Sequence, residues 1–136
     1  MRLGLMSDLH GNAHAVRAVL TDAEFMGVDE WWVLGGLVAL GPDPVDVLEL
    51  LAALPNVRCI GGNTQRYILT GDRPYPDFGA VRQNATYAII DATENRHQVV
   101  PRVVDYDHDA FVRKLYEVGH PSADYLQQFQ IVLDST

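Results

Sequence analysis

One short stretch near the N-terminus constrains the fold more than any other. The polar run Ser7–Asn12 stands between an apolar run, Leu3–Met6, and a helical pattern that begins near Ala13. This order predicts a strand that runs into a helix, with Asp8 and His10 on one side of the strand's carboxyl end, because side chains two residues apart share a face. Open α/β sheets bind ligands at that edge. A carboxylate and an imidazole at this spacing can chelate a divalent metal, and a helix cap beside a solvated histidine explains the pair equally well.

The length and charge of the chain narrow the classes of partner. With 136 residues it is long enough for one domain with a real core, and we expect a single domain over residues 1–136, with an N-terminal half over 1–78 and a tail over 79–136. Eighteen acidic residues against ten basic ones give a formal charge of −8, which disfavours nucleic acid or an anionic membrane surface as the main partner. A small anionic substrate would need a local cation, which a metal could supply.

Two features bear on the compartment. Asp8 and His10 interrupt the first apolar run too early for a signal peptide or a membrane span. The single cysteine, Cys59, lies in an apolar run, which predicts a core thiol, and it has no second cysteine to pair with, which suits a reducing compartment. We therefore expect a cytoplasmic protein with no membrane partner.

The first half of the chain alternates between strand and helix patterns. Apolar residues at three- and four-residue steps predict a helix from Ala13, capped by Asn12 and ended by Gly27. Trp31–Leu34 and Val57–Ile60 predict two further buried strands. Strand, helix and strand in this order imply parallel strands with right-handed crossovers, which would bring the turns after the three strands to one edge of the sheet.

A second helix is predicted between the last two of these strands. Asp43 followed by Pro44 is a cap residue and then proline in the first turn, and the apolar pattern continues to Leu54. We expect its core-facing side to consist of Val45, Leu48, Leu51 and Ala52. The polar and glycine residues expected to converge at the carboxyl edge are Asp8, His10, Gly36, Asn63 and Thr64.

The period of the apolar pattern changes in the second half. After an irregular loop rich in Gly and Pro over Gly71–Asn84, Ala85–Asp91 and Gln98–Val104 read as two strands of an antiparallel hairpin. Pro101 favours an edge position for the second of them, because proline cannot donate a hydrogen bond to a neighbouring strand.

Two helices are predicted at the C-terminal end. Asp107 caps the first, which ends at Gly119, and His108 in its first turn is expected to be solvated. Ser122 starts a last short helix that includes Phe129. The apolar face of the first of these helices is expected to be Phe111, Val112, Leu115 and Val118.

Three motifs in this order resemble those of the calcineurin-like metallophosphoesterase family, particularly its small bacterial members. Asp8–His10 resembles the family's Asp-x-His motif. Leu34–Gly36 through Gly41–Pro44 is similar to its strand ending in Gly-Asp and continuing to Gly-Pro-Asp-Pro, and Gly62–Gln65 resembles its Gly-Asn-His-Asp or Gly-Asn-Thr-Asp motif. Ala85–Pro121 also looks like the tail of those members. The resemblance implies an α/β fold, a truncated αββα sandwich with a parallel βαβαβ half followed by an antiparallel hairpin and helices.

The resemblance also implies a metal chemistry. In that family two divalent metals clamp a phosphate ester and activate a water for in-line attack. By resemblance Asp8 and His10 would ligate the first metal and Asn63 the second, the metal being manganese, zinc, iron or magnesium. Thr64 stands where many members have a histidine that assists the leaving group, so Thr64 and His10 are the candidate catalytic residues. The bridging carboxylate of the second motif falls on Gly36, which has no side chain.

The sequence departs from the family pattern in further places. Gln65 replaces the acid of the third motif, the later histidine and the Gly-His-x-His motif are absent, and a central segment is missing between about Asp77 and Arg82. We therefore expect one metal or none, and at best weak hydrolysis of a phosphate ester. The alternative is an inactive homo-oligomeric binding module, most simply a homodimer, because a shortened chain would leave apolar faces and sheet edges uncovered.

Overall fold

The structure is a computed structural model that describes residues 1–71, 81–82, 84–128 and 130–131. Its elements, in chain order, are β1 (Arg2–Met6), α1 (Ala13–Met26), β2 (Glu30–Val33), α2 (Pro44–Ala52), β3 (Val57–Cys59), α3 (Asn63–Thr70), β4 (Val81–Arg82), β5 (Asn84–Ala92), β6 (His97–Asp105), α4 (His108–Glu117), α5 (Ala123–Gln128) and β7 (Gln130–Ile131).

Five strands form one mixed sheet in the order β3-β2-β1-β5-β6. The pairs β1–β2 and β2–β3 are parallel, which confirms the strand directions predicted for the first half. β5 pairs antiparallel with β1, and β6 pairs antiparallel with β5, so the predicted hairpin is confirmed and Pro101 lies on an edge strand. β4 and β7 form a separate parallel pair. The predicted α/β class, with a parallel N-terminal half and a C-terminal hairpin, is confirmed.

One side of the sheet, here called the inner face, packs against α1 and α2. The Trp31 ring packs against Gly4 in the neighbouring strand, where an added Cβ would stand 2.6 Å from the ring. Trp31 also contacts Tyr87, with ring centroids 5.9 Å apart. The buried residues of this core are Met6, Ala13, Val16, Val19, Ala23, Trp31, Val33, Val47, Leu51, Ala85, Tyr87 and Ile89.

The predicted core-facing side of α2 is wrong except at Leu51. Val45 is 63% exposed and Leu48 is 46% exposed, and Ala52 is exposed as well. Val47 is fully buried instead, and with Leu51 and the half-buried Leu50 and Leu54 it forms the stripe that packs on the core. The predicted and the observed residues both recur with the period of a helix. The packing of α2 against α1 determines which of the two sets is buried.

Three further residues are more exposed or more buried than the sequence predicts. Cys59 is exposed, because β3 is an edge strand with a neighbour on one side only. Val118 is 49% exposed, because α4 ends at Glu117 and this residue lies at its C-cap. His108 is half-buried rather than solvated, and burial lowers its pKa.

One helix was not predicted, and some of the predicted segments lie outside the described residues. Helix α3 follows β3 after the loop of residues 60–62, where only a turn was expected. Of the loop predicted over Gly71–Asn84, residues 72–80 and 83 lie outside the described residues, as does Phe129. Among the helices that the structure describes, none combines the length and the apolar character needed to cross a membrane.

Candidate metal site at the carboxyl edge of the sheet

Three loops meet at the carboxyl edge of β1, β2 and β3. They cover residues 7–12, 34–43 and 60–62 and follow the three parallel strands, so the predicted convergence of these turns is confirmed. The first loop is fixed to the second by backbone hydrogen bonds: Asp8 N donates to Gly35 O at 3.0 Å, His10 N to Gly36 O at 2.6 Å, and Gly11 N to Leu37 O at 3.1 Å.

The loops touch through glycine backbone. A Cβ added to Gly36 would stand 2.6 Å from the Cα of Asp8, and one added to Gly62 would stand 2.9 Å from the amide nitrogen of Gly36. Gly36 also has a φ of +67°, a conformation that residues with a side chain rarely adopt. The position where the family has its bridging carboxylate is therefore packed against the backbone of Asp8.

Asp8 and His10 face each other at this edge. The Asp8 Oδ1 atom is 3.5 Å from His10 Nε2, and the side chains are 72% and 27% exposed. Ser7 Oγ donates to Asp8 Oδ2 at 2.8 Å and orients the carboxylate. His10 Nδ1 is buried and makes no hydrogen bond to any group in the described part of the chain.

The reason for this proximity differs from the predicted one. β1 ends at Met6, so Asp8 and His10 lie beyond the strand and do not follow its alternation. Both adopt left-handed backbone, with φ of +57° and +45°. Aspartate and histidine tolerate this conformation better than most residues with a side chain, and here it curls the loop so that the two side chains meet.

The third motif opens helix α3. Asn63 is the first residue of that helix and is exposed, directly after the glycine that packs on the second loop. The backbone of Thr64 lies in the first turn, and its side chain is outside the part of the chain that the structure describes. Gln65 Oε1 accepts a hydrogen bond from Gly62 N at 3.0 Å, which satisfies an amide just before the helix.

Asn12 connects this edge to the C-terminal region. Its Oδ1 accepts from Ala15 N at 3.0 Å, which confirms the predicted cap of α1. Its Nδ2 donates to the Tyr106 hydroxyl at 3.2 Å, and burial raises the pKa of Tyr106 to about 12. Sequence reasoning missed Tyr106, because a residue 94 positions away carries no local signal of such a contact.

The described residues contain few potential metal donors at this edge. Within them there is no group of three or more His, Cys, Asp or Glu side chains that could hold a metal. Asp8 and His10 are two adjacent potential donors, and the Asp8 side chain is open to solvent.

The chain is similar to known proteins over most of its length. A family model described as calcineurin-like phosphoesterase matches residues 1–128. The symmetrical bis(5'-nucleosyl)-tetraphosphatase of Erwinia tasmaniensis is 39% identical over 67 residues, which are 48% of this chain and 24% of that protein. The protein of the same name from an Enterobacter species is 28% identical over 113 residues, which are 82% of this chain and 35% of that protein. The chain thus spans no more than about a third of these two relatives.

A solved structure shows the same fold. The metallophosphoesterase from Sphaerobacter thermophilus superposes with a TM-score of 0.65 and 16% sequence identity, and the match covers 95% of this chain and 99% of that chain. The family model covers nearly the whole sequence, and the three motifs that it shares with the family lie together at one edge of the sheet. The chain belongs to the calcineurin-like phosphoesterase family.

Proposed function

We propose that this chain is a metallophosphoesterase with an incomplete metal site, which binds one divalent ion and hydrolyses phosphate esters weakly at best. The ion, manganese, zinc, iron or magnesium, would be held by Asp8 and His10. Asn63, which the resemblance assigns to a second metal, lies exposed at the start of α3. The observation that carries the proposal is the pairing of Asp8 Oδ1 with His10 Nε2 at 3.5 Å, at the edge where the family motifs meet.

The geometry of this pair fits a single ion. Oxygen and nitrogen ligands about 2.0 to 2.2 Å from a metal lie roughly 3.0 to 3.5 Å from each other around it. The observed separation of 3.5 Å falls in that range, so the ion needs little rearrangement of either side chain. Water and substrate oxygens would complete its coordination.

The residues do not fit a two-metal site. Two dications a few ångströms apart repel each other, and a bridging carboxylate offsets that repulsion and fixes their spacing. Gly36 offers no carboxylate, and a side chain there would meet the backbone of Asp8. The proposed activity therefore rests on one ion.

The loop itself is poorly suited to bind an anion. The amides of Asp8, His10, Gly11 and Asn12 all donate to backbone carbonyls, so none of them is free to bind a phosphate oxygen. The chain also carries a formal charge of −8, which repels anions. When bound, a divalent ion would supply the positive charge that attracts the phosphoryl group and the means to activate a water.

The substrate class follows from the family. We propose a small phosphate ester as the substrate. Nucleoside polyphosphates are the first compounds to test, because two of the similar proteins are named bis(5'-nucleosyl)-tetraphosphatases. We also propose a cytoplasmic location, since a single exposed thiol at Cys59 suits a reducing compartment.

The direct test is manganese-dependent hydrolysis of a chromogenic phosphate ester. We expect weak activity that requires the metal and is lost in Asp8→Ala and His10→Ala. The matched control is His97→Ala, an exposed histidine at the start of β6, at the opposite end of the sheet. Equal loss in the control, or activity that persists without Asp8, would contradict the proposed site.

A second candidate function is a homo-oligomeric module without catalytic activity. The observation that favours it is the exposure of large apolar side chains on the side of the sheet away from α1 and α2, such as Trp32 and Val99. Metal content separates the two candidates. A purified chain that holds no metal and gains no thermal stability from added manganese or zinc would favour the module.

A further inference from the structure

His10 lies in a turn whose backbone is strained. Asn12 N donates to Leu9 O at 2.9 Å, so residues 9–12 form a β-turn with His10 and Gly11 at its two central positions. These two residues have φ of +45° and +68°, and positive φ at both central positions is typical of a type I′ turn. Glycine adopts this conformation freely, but a residue with a side chain keeps it only where its surroundings hold it. The orientation of His10 therefore depends on the contacts that hold this turn.

The start and the centre of the turn are held by the second loop. The amides of Asp8, His10 and Gly11 donate to the carbonyl oxygens of residues 35, 36 and 37. Gly11 O in turn accepts from Asp43 N at 3.0 Å. These contacts join backbone to backbone, so no side chain controls this part of the turn.

The end of the turn is held by the side chain of Asn12. Its Oδ1 accepts from Ala15 N at 3.0 Å, which leaves Nδ2 to donate to the Tyr106 hydroxyl at 3.2 Å. Both ends of the side-chain amide are therefore paired, and only one orientation of the amide satisfies both partners. Asn12 is thus fixed between α1 and the C-terminal region.

Tyr106 is itself held firmly in place. It lies between β6 and α4, and its carbonyl oxygen accepts from His108 N at 2.8 Å. Its ring packs against the core between the sheet and the first two helices, and also against the smaller core between α4 and α5. The His108 ring meets it edge to face, with centroids 5.8 Å apart. The hydroxyl that contacts Asn12 is therefore carried by a side chain with little freedom to move.

We propose that Tyr106 is a positioning residue for the metal site, which acts through Asn12 to hold the turn that directs His10 toward Asp8. The inference rests on the proposed function, because it assigns Tyr106 a part in holding the ion. The path runs from the Tyr106 hydroxyl to the Asn12 amide, and then through the Leu9–Asn12 turn to His10 Nε2, which lies 3.5 Å from Asp8 Oδ1.

The first test is the affinity of Tyr106→Phe for manganese, measured by calorimetry. This change removes the hydroxyl and keeps the ring that packs against both cores, so the variant should fold and melt almost as the wild-type chain does. We expect its Kd for manganese to rise about three- to tenfold, because contacts behind a ligand orient it for the metal.

The matched control is Tyr116→Phe. The Tyr116 hydroxyl hydrogen-bonds to Asp124 at 2.9 Å and to Gln127 at 2.6 Å, so the same chemical change here breaks contacts between α4 and α5 instead. This variant should keep the wild-type Kd for manganese. An equal rise of the Kd in both variants would overturn the inference, because it would show a general effect of a lost hydroxyl.

Hydrogen exchange of the metal-free chain gives a readout that needs no ion. In Tyr106→Phe the amides of His10, Gly11 and Asn12 should exchange several-fold faster than in the wild-type chain, because the end of the turn is no longer held. Amides in the middle of α1, such as that of Val19, should keep their wild-type rates. Faster exchange throughout the chain would overturn the inference, since it would mean that Tyr106 only supports the fold.

A double-mutant cycle tests whether Tyr106 acts through Asn12. Asn12→Ala alone should raise the Kd for manganese, and adding Tyr106→Phe to it should raise the Kd no further. A second rise as large as the one that Tyr106→Phe causes in the wild-type chain would contradict the path.

The failure of this inference is distinguishable from the failure of the proposed function. A wild-type chain that binds no manganese would contradict the proposed function, and the exchange rates of the metal-free turn would then decide whether Tyr106 holds it. A wild-type chain that binds manganese, with an unchanged Kd in Tyr106→Phe, would overturn the inference and leave the proposed function in place.

Discussion

The carboxyl edge of the sheet and the junction between α1 and the β5–β6 hairpin are held together by different kinds of contact. At the edge, backbone meets backbone: Gly36 packs on Asp8, and a Cβ at Gly41 would overlap the backbone of His10 and Gly11. At Gly36 and Gly41 there is no room for new side-chain atoms.

At the junction, side chains make the contact. Asp22 on α1 accepts two hydrogen bonds from Arg102 on β6, at 3.0 and 2.6 Å, and one from the Tyr87 hydroxyl on β5 at 2.8 Å. The guanidinium beside Asp22 holds the pKa of that carboxyl below its ordinary value.

The two regions should therefore respond differently to mutation. At the edge, the free energy of unfolding should fall when side-chain volume is added and change little when charge is changed. At the junction, it should fall when a charged side chain is lost. We therefore expect that a single substitution at position 36 cannot restore a bridging carboxylate, because the backbone of Asp8 occupies the space that the side chain would need.

The largest effect is expected from Gly36→Asp. The new Cβ would stand 2.6 Å from the Asp8 Cα at a φ of +67°, so we expect a loss of roughly 2 to 4 kcal/mol in unfolding free energy and no gain of a second metal. Chemical denaturation and metal analysis measure the two results. The control is Gly61→Ala in the third loop, where a Cβ meets nothing within 4 Å, and it should be nearly neutral. A stable Gly36→Asp that binds two ions would show that the edge is not closed.

The next effect is expected from Asp22→Asn. Losing a half-buried charge partner of Arg102 should cost about 1 to 3 kcal/mol near neutral pH. Since the folded pKa of Asp22 is lowered, its contribution is complete above the unfolded value of about 4 and is lost as the pH falls through the folded value. Denaturation across pH should therefore show the wild-type and variant curves converging in acid.

The control for that variant is Asp46→Asn. Asp46 pairs with Arg17 at 3.3 Å, but both side chains are about half exposed, so the change should cost less than about 0.5 kcal/mol. Metal affinity should be the same in both variants, since neither residue belongs to the carboxyl edge. If Asp22→Asn were as mild as the control, side-chain contacts would not hold the junction.

A smaller effect is expected from Asn12→Ala, which touches both regions. It removes the cap of α1 and the contact with Tyr106, and it should cost about 1 kcal/mol. Asn12→Asp keeps the cap oxygen but removes the amide that donates to Tyr106, so it should recover most of the stability. Thermal denaturation of the two variants measures this order of stability. If Asn12→Asp were less stable than Asn12→Ala, the assignment of the cap would be wrong.

The smallest effect is expected from Gln65→Ala. It leaves the Gly62 amide without its side-chain acceptor and should cost a few tenths of a kcal/mol to about 1 kcal/mol. Gln65→Glu keeps an oxygen in place and should be milder. Urea denaturation of Gln65→Ala and Gln65→Glu measures the difference in stability. A larger loss of stability in Gln65→Ala than in Asn12→Ala would mean that side chains, and not only backbone contacts, hold the third loop.

Local signals explain how much of the fold could be predicted from the sequence. The apolar periods, and the caps at Asn12 and Asp107, depend on residues a few positions apart, and the structure confirms them. The side of α2 that is buried depends on α1, and the exposure of Cys59 depends on which strand forms the edge, so neither could be predicted from local sequence.

The candidate site divides in the same way. Strand order alone brings the loops of Asp8, Gly36 and Asn63 to one edge, and the motifs name those residues. The left-handed backbone of Asp8 and His10 is set by contacts with the second loop, which a local pattern does not encode.

The measurement that tests the central claim most directly is the number of manganese ions bound per chain, determined by calorimetry and by anomalous scattering from manganese-soaked crystals. The account predicts one ion, between Asp8 and His10, that disappears in Asp8→Ala. Two ions held about 3.5 to 4 Å apart, or no ion beside His10, would contradict it.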